Sequence, residues 1–216
     1  MEIYKLGGDQ SSNITLEITD IRQAAKNPER ANVFVDGKYA FSLDVSQVVD
    51  LKLKVGKKIS EEDLAEYKKA SEFGKLYQRT LEWVLMRPRS EREARDYLYK
   101  KIYDKKLDKD YIDKIIDKLQ DKKYLDDERF AEWYVESRFI KKGISQKRLK
   151  MELMRKGIAN EIIEKVLSAR NDEEEILKII VKKRDKYDDD KLIQYLCRQG
   201  FSFELVRNLV RTYEKG

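Results

Sequence analysis

Residues 149–166 read LKMELMRKGIANEIIEKV, and this stretch decides the fold once the chain is slid along itself. At a shift of 43 residues, Leu149, Leu153, Gly157, Ile158, Ile162, Ile163 and Val166 fall on Leu192, Leu196, Gly200, Phe201, Leu205, Val206 and Leu209. Each set spells the same phrase. Apolar residues four apart make one helix, a glycine stops it in the left-handed conformation, a large apolar residue anchors the turn, and a second amphipathic helix follows.

The frame recurs upstream. Ser90, Ala94 and Leu98 match Ser145, Leu149 and Leu153 at a shift of 55. After a four-residue insertion at Ile102 to Lys106, Leu107, Tyr111, Ile112, Ile115 and Ile116 match Ile158, Ile162, Ile163, Val166 and Leu167 at a shift of 51. An apolar helix precedes each pair, carrying Leu81, Val84 and Leu85, then Phe130, Trp133 and Tyr134, then Ile176, Leu177, Ile180 and Val181. The pattern predicts a mainly α chain: three tandem three-helix repeats forming an elongated curved array, with boundaries near Asp127 and Asp172. By this reading 60–127 holds the first repeat with its lead-in helix, 128–172 the second and 173–216 the third.

The first 59 residues differ in texture and predict a small antiparallel β module. Ile14, Leu16 and Ile18 alternate with Thr15, Glu17 and Thr19, the period of a half-buried strand. Asp36-Gly37 between Asn32–Val35 and Lys38–Leu43 is a type I′ hairpin signal. Lys26 to Arg30, with Asn27 and Pro28, predicts a loop. Val45 to Leu53 predicts a short helix, and Ser60 is placed as the cap of a longer one, with Glu61, Glu62 and Asp63 in its first turn.

Composition narrows function. The chain of 216 residues has 47 Lys and Arg against 41 Asp and Glu, a net charge of +6, one cysteine and no histidine. Without histidine the Ser-His and Cys-His nucleophile systems and the usual His-containing zinc sites are excluded, and no Gly-rich phosphate loop or EF-hand pattern is present. No enzyme activity, cofactor or metal is expected. Lacking an N-terminal apolar leader pattern or an apolar run of bilayer-spanning length, the chain is expected to be cytoplasmic, soluble and monomeric, with no membrane partner.

The charge is uneven. Between Ser137 and Lys156, Arg138, Lys141, Lys142, Lys147, Arg148, Lys150, Arg155 and Lys156 face the single acid Glu152, for a net +7, more than the whole chain carries. Residues 91–128 hold 11 basic and 12 acidic residues, the pattern of a solvated face. The window is therefore the candidate surface for a polyanion or an acidic partner, although lysine and arginine stems also snorkel from helices without any specific contact. Arg198, Arg207, Arg211 and Lys215 form a second cluster, where the cations also complement a helix C-terminus. Cys197, aligned with Met154, is expected to be a small buried apolar residue.

The middle repeat contains Tyr124-Leu125-Asp126-Asp127-Glu128-Arg129-Phe130-Ala131, then Tyr134, Arg138, Lys142-Gly143-Ile144-Ser145, Leu149, Glu152-Leu153 and Lys156-Gly157-Ile158. This resembles the RecX regulatory proteins. Leu85, Arg87, Arg89-Ser90 and Glu93 are similar to that family's first-repeat motif, with Ala94 where leucine is usual, and the likeness covers about Leu76 to Tyr213. An N-terminal hairpin module resembles a subset of the family. The resemblance implies a modulator of the RecA recombinase, connected with DNA recombination, DNA repair and the SOS response. Such a protein lies in the helical groove of the RecA filament on single-stranded DNA and hinders filament growth, ATP hydrolysis, strand exchange and coprotease action. Arg138, Lys141, Lys142, Lys147, Arg148, Lys150, Arg155, Lys156, Arg207 and Arg211 are then the expected RecA- or DNA-contacting residues. A stand-alone helical module that binds single- or double-stranded DNA without RecA, and an adaptor for another protein, fit the same residues.

Overall fold

The computed structural model describes residues 15–25 and 27–213, and the side chains of residues 139–142 lie outside that description. Ile14, Lys26 and Lys215, used in the sequence reading, also lie outside it. The chain divides into two compact units, Met1–Arg79 and Thr80–Gly216.

In the first unit Asp36 and Gly37 take φ of 47° and 77°, positive at both as a type I′ turn requires, and join β2 (Asn27–Val35) to β3 (Lys38–Asp44). β1 (Leu16–Ala24) pairs with the other edge of β2, and a two-residue β4 (Lys58–Ile59) pairs with β1, giving an antiparallel sheet ordered β3-β2-β1-β4. The expected loop at 26–30 is largely strand. Asn27 Oδ1 accepts the Glu29 N–H at 3.0 Å and the Pro28 carbonyl accepts from Gln23 at 2.8 Å, so the turn closes at once and Pro28 sits at the strand start, where its missing N–H costs no ladder bond.

The expected helix to Leu53 stops sooner. α1 spans Val45–Asp50, and Lys52 turns to φ 49° so that Leu53 reaches the core. That core holds Ile18, Val33, Phe41 and Leu43 in the sheet, with Tyr67 from α2 (Glu61–Leu85). Ser60 caps α2 as expected: its Oγ accepts the Asp63 N–H at 3.1 Å while the Asp63 carboxylate accepts the Ser60 N–H at 3.0 Å.

The second unit is helical from the end of α2 onward: α3 (Glu91–Lys105), α4 (Tyr111–Asp121), α5 (Asp127–Lys142), α6 (Gln146–Arg155), α7 (Asn160–Leu167), α8 (Asp172–Lys183), α9 (Asp189–Arg198) and α10 (Phe203–Thr212). Most of the aligned apolar positions are buried, with Ile162, Val166, Leu205 and Leu209 partly so. Leu149, Leu153 and Ile163 are fully buried with Phe130, and Leu192, Leu196 and Val206 with Ile176 and Ile180. Each such side chain stabilises the fold by roughly 1.5–3 kcal/mol through area removed from water.

Three first-helix residues do not follow the expected stripe. Leu85 is 61% exposed, Leu177 37% and Val181 60%, because Val84, Ile176 and Ile180 occupy the inward positions one step away. Cys197 is half-buried rather than buried, being one helical step off the Leu192/Leu196 stripe. The first repeat has no stop glycine after its second helix, and Lys106 takes the left-handed conformation itself at φ 53°.

The repeat symmetry extends to the contacts between neighbouring helices. Ser90 and Ser145 each cap their own helix by accepting the N–H of Glu93 and of Arg148. The first N–H of each of those helices is taken from elsewhere: Glu91 N–H donates to Asp127 at 2.7 Å, and Gln146 N–H donates to Asp172 at 2.9 Å. The stop glycines behave in the same paired way. A Cβ on Gly157 (φ 82°) would meet Arg92 Cβ at 2.9 Å, and one on Gly200 (φ 93°) would meet Ser145 Oγ at 2.7 Å and Arg148 Cβ at 3.1 Å. Each turn is thus pressed onto the start of the previous repeat's middle helix.

Candidate functional site

The basic window is organised by its one acid. Glu152 lies four residues after Arg148 on α6 and faces Tyr134 and Arg138 on α5. Its carboxylate accepts from the Tyr134 hydroxyl at 2.9 Å, from Arg138 Nε at 2.9 Å and from Arg148 Nε at 3.3 Å. Arg138 also stacks on the Tyr134 ring, its guanidinium carbon 5.4 Å from the centroid. Burial pushes the Glu152 carboxyl up, but the Tyr134 hydroxyl and the two guanidinium groups together hold it below its ordinary range. Arg148 further donates to the Arg198 carbonyl at 2.7 Å, closing the end of α9.

Two more cations of the window are paired across helices. Lys156 donates to Glu93 of α3 at 2.6 Å, and Lys150 pairs with Glu164 of α7. Burial of Glu93 is outweighed by hydrogen bonds and charge from Arg87 and Lys156, so its carboxyl is also held low. The cations that remain outward are different ones. Lys147, Arg155, Arg207 and Arg211 are exposed and make no ion pair with the described residues. The side chains of Lys141 and Lys142 lie outside the described residues. The +7 count therefore describes two populations, one welding helices together and one facing solvent.

A second arrangement escaped the sequence reading, which took 91–128 as an ordinary charged face. At the end of α2 the Arg89 guanidinium lies over the Trp83 ring at 3.8 Å, and Trp83 stacks on Tyr97 with centroids 4.5 Å apart and planes 10° apart. Arg87 lies 5.3 Å from the Trp133 centroid and forms a fork with Glu93 at 3.0 and 3.3 Å. Burial, with the like charge of Arg87 behind it, lowers the Arg89 pKa despite the pull of Glu93. Net charge over a window could not have found this, since Trp83 and Arg89 stand outside the balanced segment. The signal available was the arginine pair beside Pro88 between two aromatic-bearing helices.

Two family models match the chain: "RecX, second three-helix domain" over residues 126–167, and "Regulatory protein RecX N-terminal domain" over residues 16–60. The chain is 38% identical over 199 residues to the Regulatory protein RecX of Bacillus velezensis and 35% identical over 199 residues to that of Bacillus subtilis (strain 168), in each case over 88% of this chain and 74% of the relative. A crystal structure of regulatory protein RecX superposes with a TM-score of 0.67 over 92% of this chain and 100% of that one at 24% identity, which speaks for the fold. That of RecX from Lactobacillus salivarius gives 0.52 over 64% of this chain and 94% of its own at 26% identity. With matches on both the sheet and α5–α7, and relatives covered over most of their length, the chain belongs to the RecX family of regulatory proteins.

Proposed function

We propose that this protein regulates the RecA recombinase by binding its filament on single-stranded DNA, in the filament's helical groove, and that it hinders filament growth, ATP hydrolysis, strand exchange and coprotease action. Membership of the regulatory family is the observation that carries this reading. The exposed cations Lys147, Arg155, Arg207 and Arg211, which make no ion pair with the described residues, support it, because they suit a surface of phosphates and acidic side chains. The action is steric and electrostatic, with no bond made or broken. Arg138, Arg148, Lys150 and Lys156 serve it indirectly, holding the helices that present the others.

RecA's single-strand-dependent ATPase, measured in moderate salt with the protein added below RecA stoichiometry, tests the reading. Inhibition is expected, and unchanged hydrolysis at every ratio would sink it. A stand-alone DNA-binding module is the second reading, favoured by the same exposed cations. It predicts tight binding to naked DNA that weakens steeply with salt, and it loses if only the RecA filament captures the protein.

A further inference from the structure

Between the end of α2, the turn into α3 and the turn from α4 into α5 lies a cavity of about 130 Å³, which has room for several waters. Arg87, Arg89, Lys123 and Arg129 line it, with Asp126 as the one acid and the Tyr124 ring beside it. Several cations of the second unit are matched by carboxylates, as Lys156 is by Glu93 and Arg95 by Glu91 and Asp113. Here they are not. Arg87 is spent on Glu93, but Arg89, Lys123 and Arg129 make no ion pair with the described residues. The Arg89 Nε is buried and has no hydrogen-bond acceptor among the described residues, an arrangement that costs free energy unless something supplies one.

Asp126 does not supply it. Its Oδ1 accepts the N–H groups of Glu128 at 3.0 Å and Arg129 at 3.1 Å, capping α5. Lys123 lines the cavity from the left-handed turn that ends α4, where φ is 58° and the Tyr124 N–H donates to the Leu119 carbonyl at 2.9 Å. The apolar lining is outward: Leu85 is 61% exposed and Tyr124 43%. A cationic hollow with an exposed ring at its edge matches a nucleotide whose phosphate enters while its unstacked base lies on the ring. A duplex, with its bases stacked away, has nothing to offer Tyr124.

We propose that this cavity is a seat for a backbone phosphate of single-stranded nucleic acid, held by Arg89, Lys123 and Arg129, with the neighbouring base on Tyr124. The seat gives the strand in the reading above a place on this chain, and it is tested without recombinase so that the two fail separately.

The test measures anisotropy of a labelled oligothymidylate about fifteen nucleotides long, a length that spans one binding site of the usual size, with the full chain across a salt titration. Lys123→Gln/Arg129→Gln removes two exposed cations from the seat, and Lys38→Gln/Lys54→Gln removes two from the first unit at equal net charge. The seat variant is expected to bind about tenfold more weakly, with a log-log salt slope shallower by about 0.7 for one phosphate lost, and the control to change less than about twofold. Tyr124→Ala is expected to lose about fivefold or more on the single strand and nothing on a duplex. Equal losses in the seat and control variants, or none in either, overturn the proposal. So does an intact oligonucleotide affinity in a seat variant that has lost binding to inorganic phosphate or to a polyglutamate peptide.

Discussion

Glu152→Gln tests the weld of the basic window most directly. The carboxylate accepts three hydrogen bonds, two of them from arginines whose side chains are each 40% exposed, while its own side chain is 16% exposed. Glutamine keeps one acceptor oxygen and loses the charge. Replacing a charge-assisted bond by a neutral one costs about 1 kcal/mol when buried, and the exposure of both arginines lowers that, so the loss is about 1–2 kcal/mol in all. For a unit of this size the melting temperature falls by about 3–8 °C.

Both tryptophans, Trp83 and Trp133, lie in the second unit, so their fluorescence reports its melting alone. The sign with pH follows from the lowered pKa. A carboxylate titrating below its unfolded value of 4.5 contributes stability that is fully present above about pH 5 and is lost as pH falls through the folded value. The gap between the wild type and Glu152→Gln is therefore expected to be constant from pH 7 to about 5.5 and to close under more acid conditions. A gap absent at pH 7, or one that persists undiminished at about pH 3, refutes the account.

Two further substitutions probe the joints between repeats. Gly200→Ala places a Cβ 2.7 Å from Ser145 Oγ at a φ of 93°, so a loss of about 2–4 kcal/mol is expected from backbone strain and overpacking together, readable in a urea midpoint with an unchanged slope. Asp127 has its carboxyl pKa raised, by burial first and then by the charges of Glu91 and Asp126, against the opposing bond from Glu91 N–H. Its ionised form is thus penalised in the folded state above its folded pKa and relieved as pH falls through it. Asp127→Asn retains an oxygen for the Glu91 N–H, so a higher melting temperature is expected at pH 7, with the advantage shrinking towards pH 4; a lower melting temperature at pH 7 contradicts this.

Local chemistry was legible wherever it acts within one turn. Ser60 caps α2 and Asp36-Gly37 forms the hairpin, because each needs only its near neighbours in sequence. The apolar frame was legible for the same reason, since period and spacing select the inward face. What failed to show depends on partners far along the chain. One glutamate engages two arginines because α5 returns beside α6, and no window count conveys that. Lys123 makes no ion pair with the described residues although residues 91–128 are charge-balanced, because the neighbouring acids Asp126 and Asp127 take helix N–H groups and Glu128 pairs with Lys165. The two-residue β4 is too short for an alternation to register.

The acids at Asp127 and Asp172 have a consequence for the order in which the chain is made. Each satisfies the first N–H of a helix synthesised some thirty residues earlier, so α3 waits for Asp127 and α6 for Asp172 before its start is complete. On a translating ribosome every finished segment would remain slightly unfinished until the next began to emerge. The last middle helix, α9, is capped by Asp188 at the Lys191 N–H, as α3 and α6 are by their serines, and Asp189 and Asp190 in its first turn meet the helix dipole.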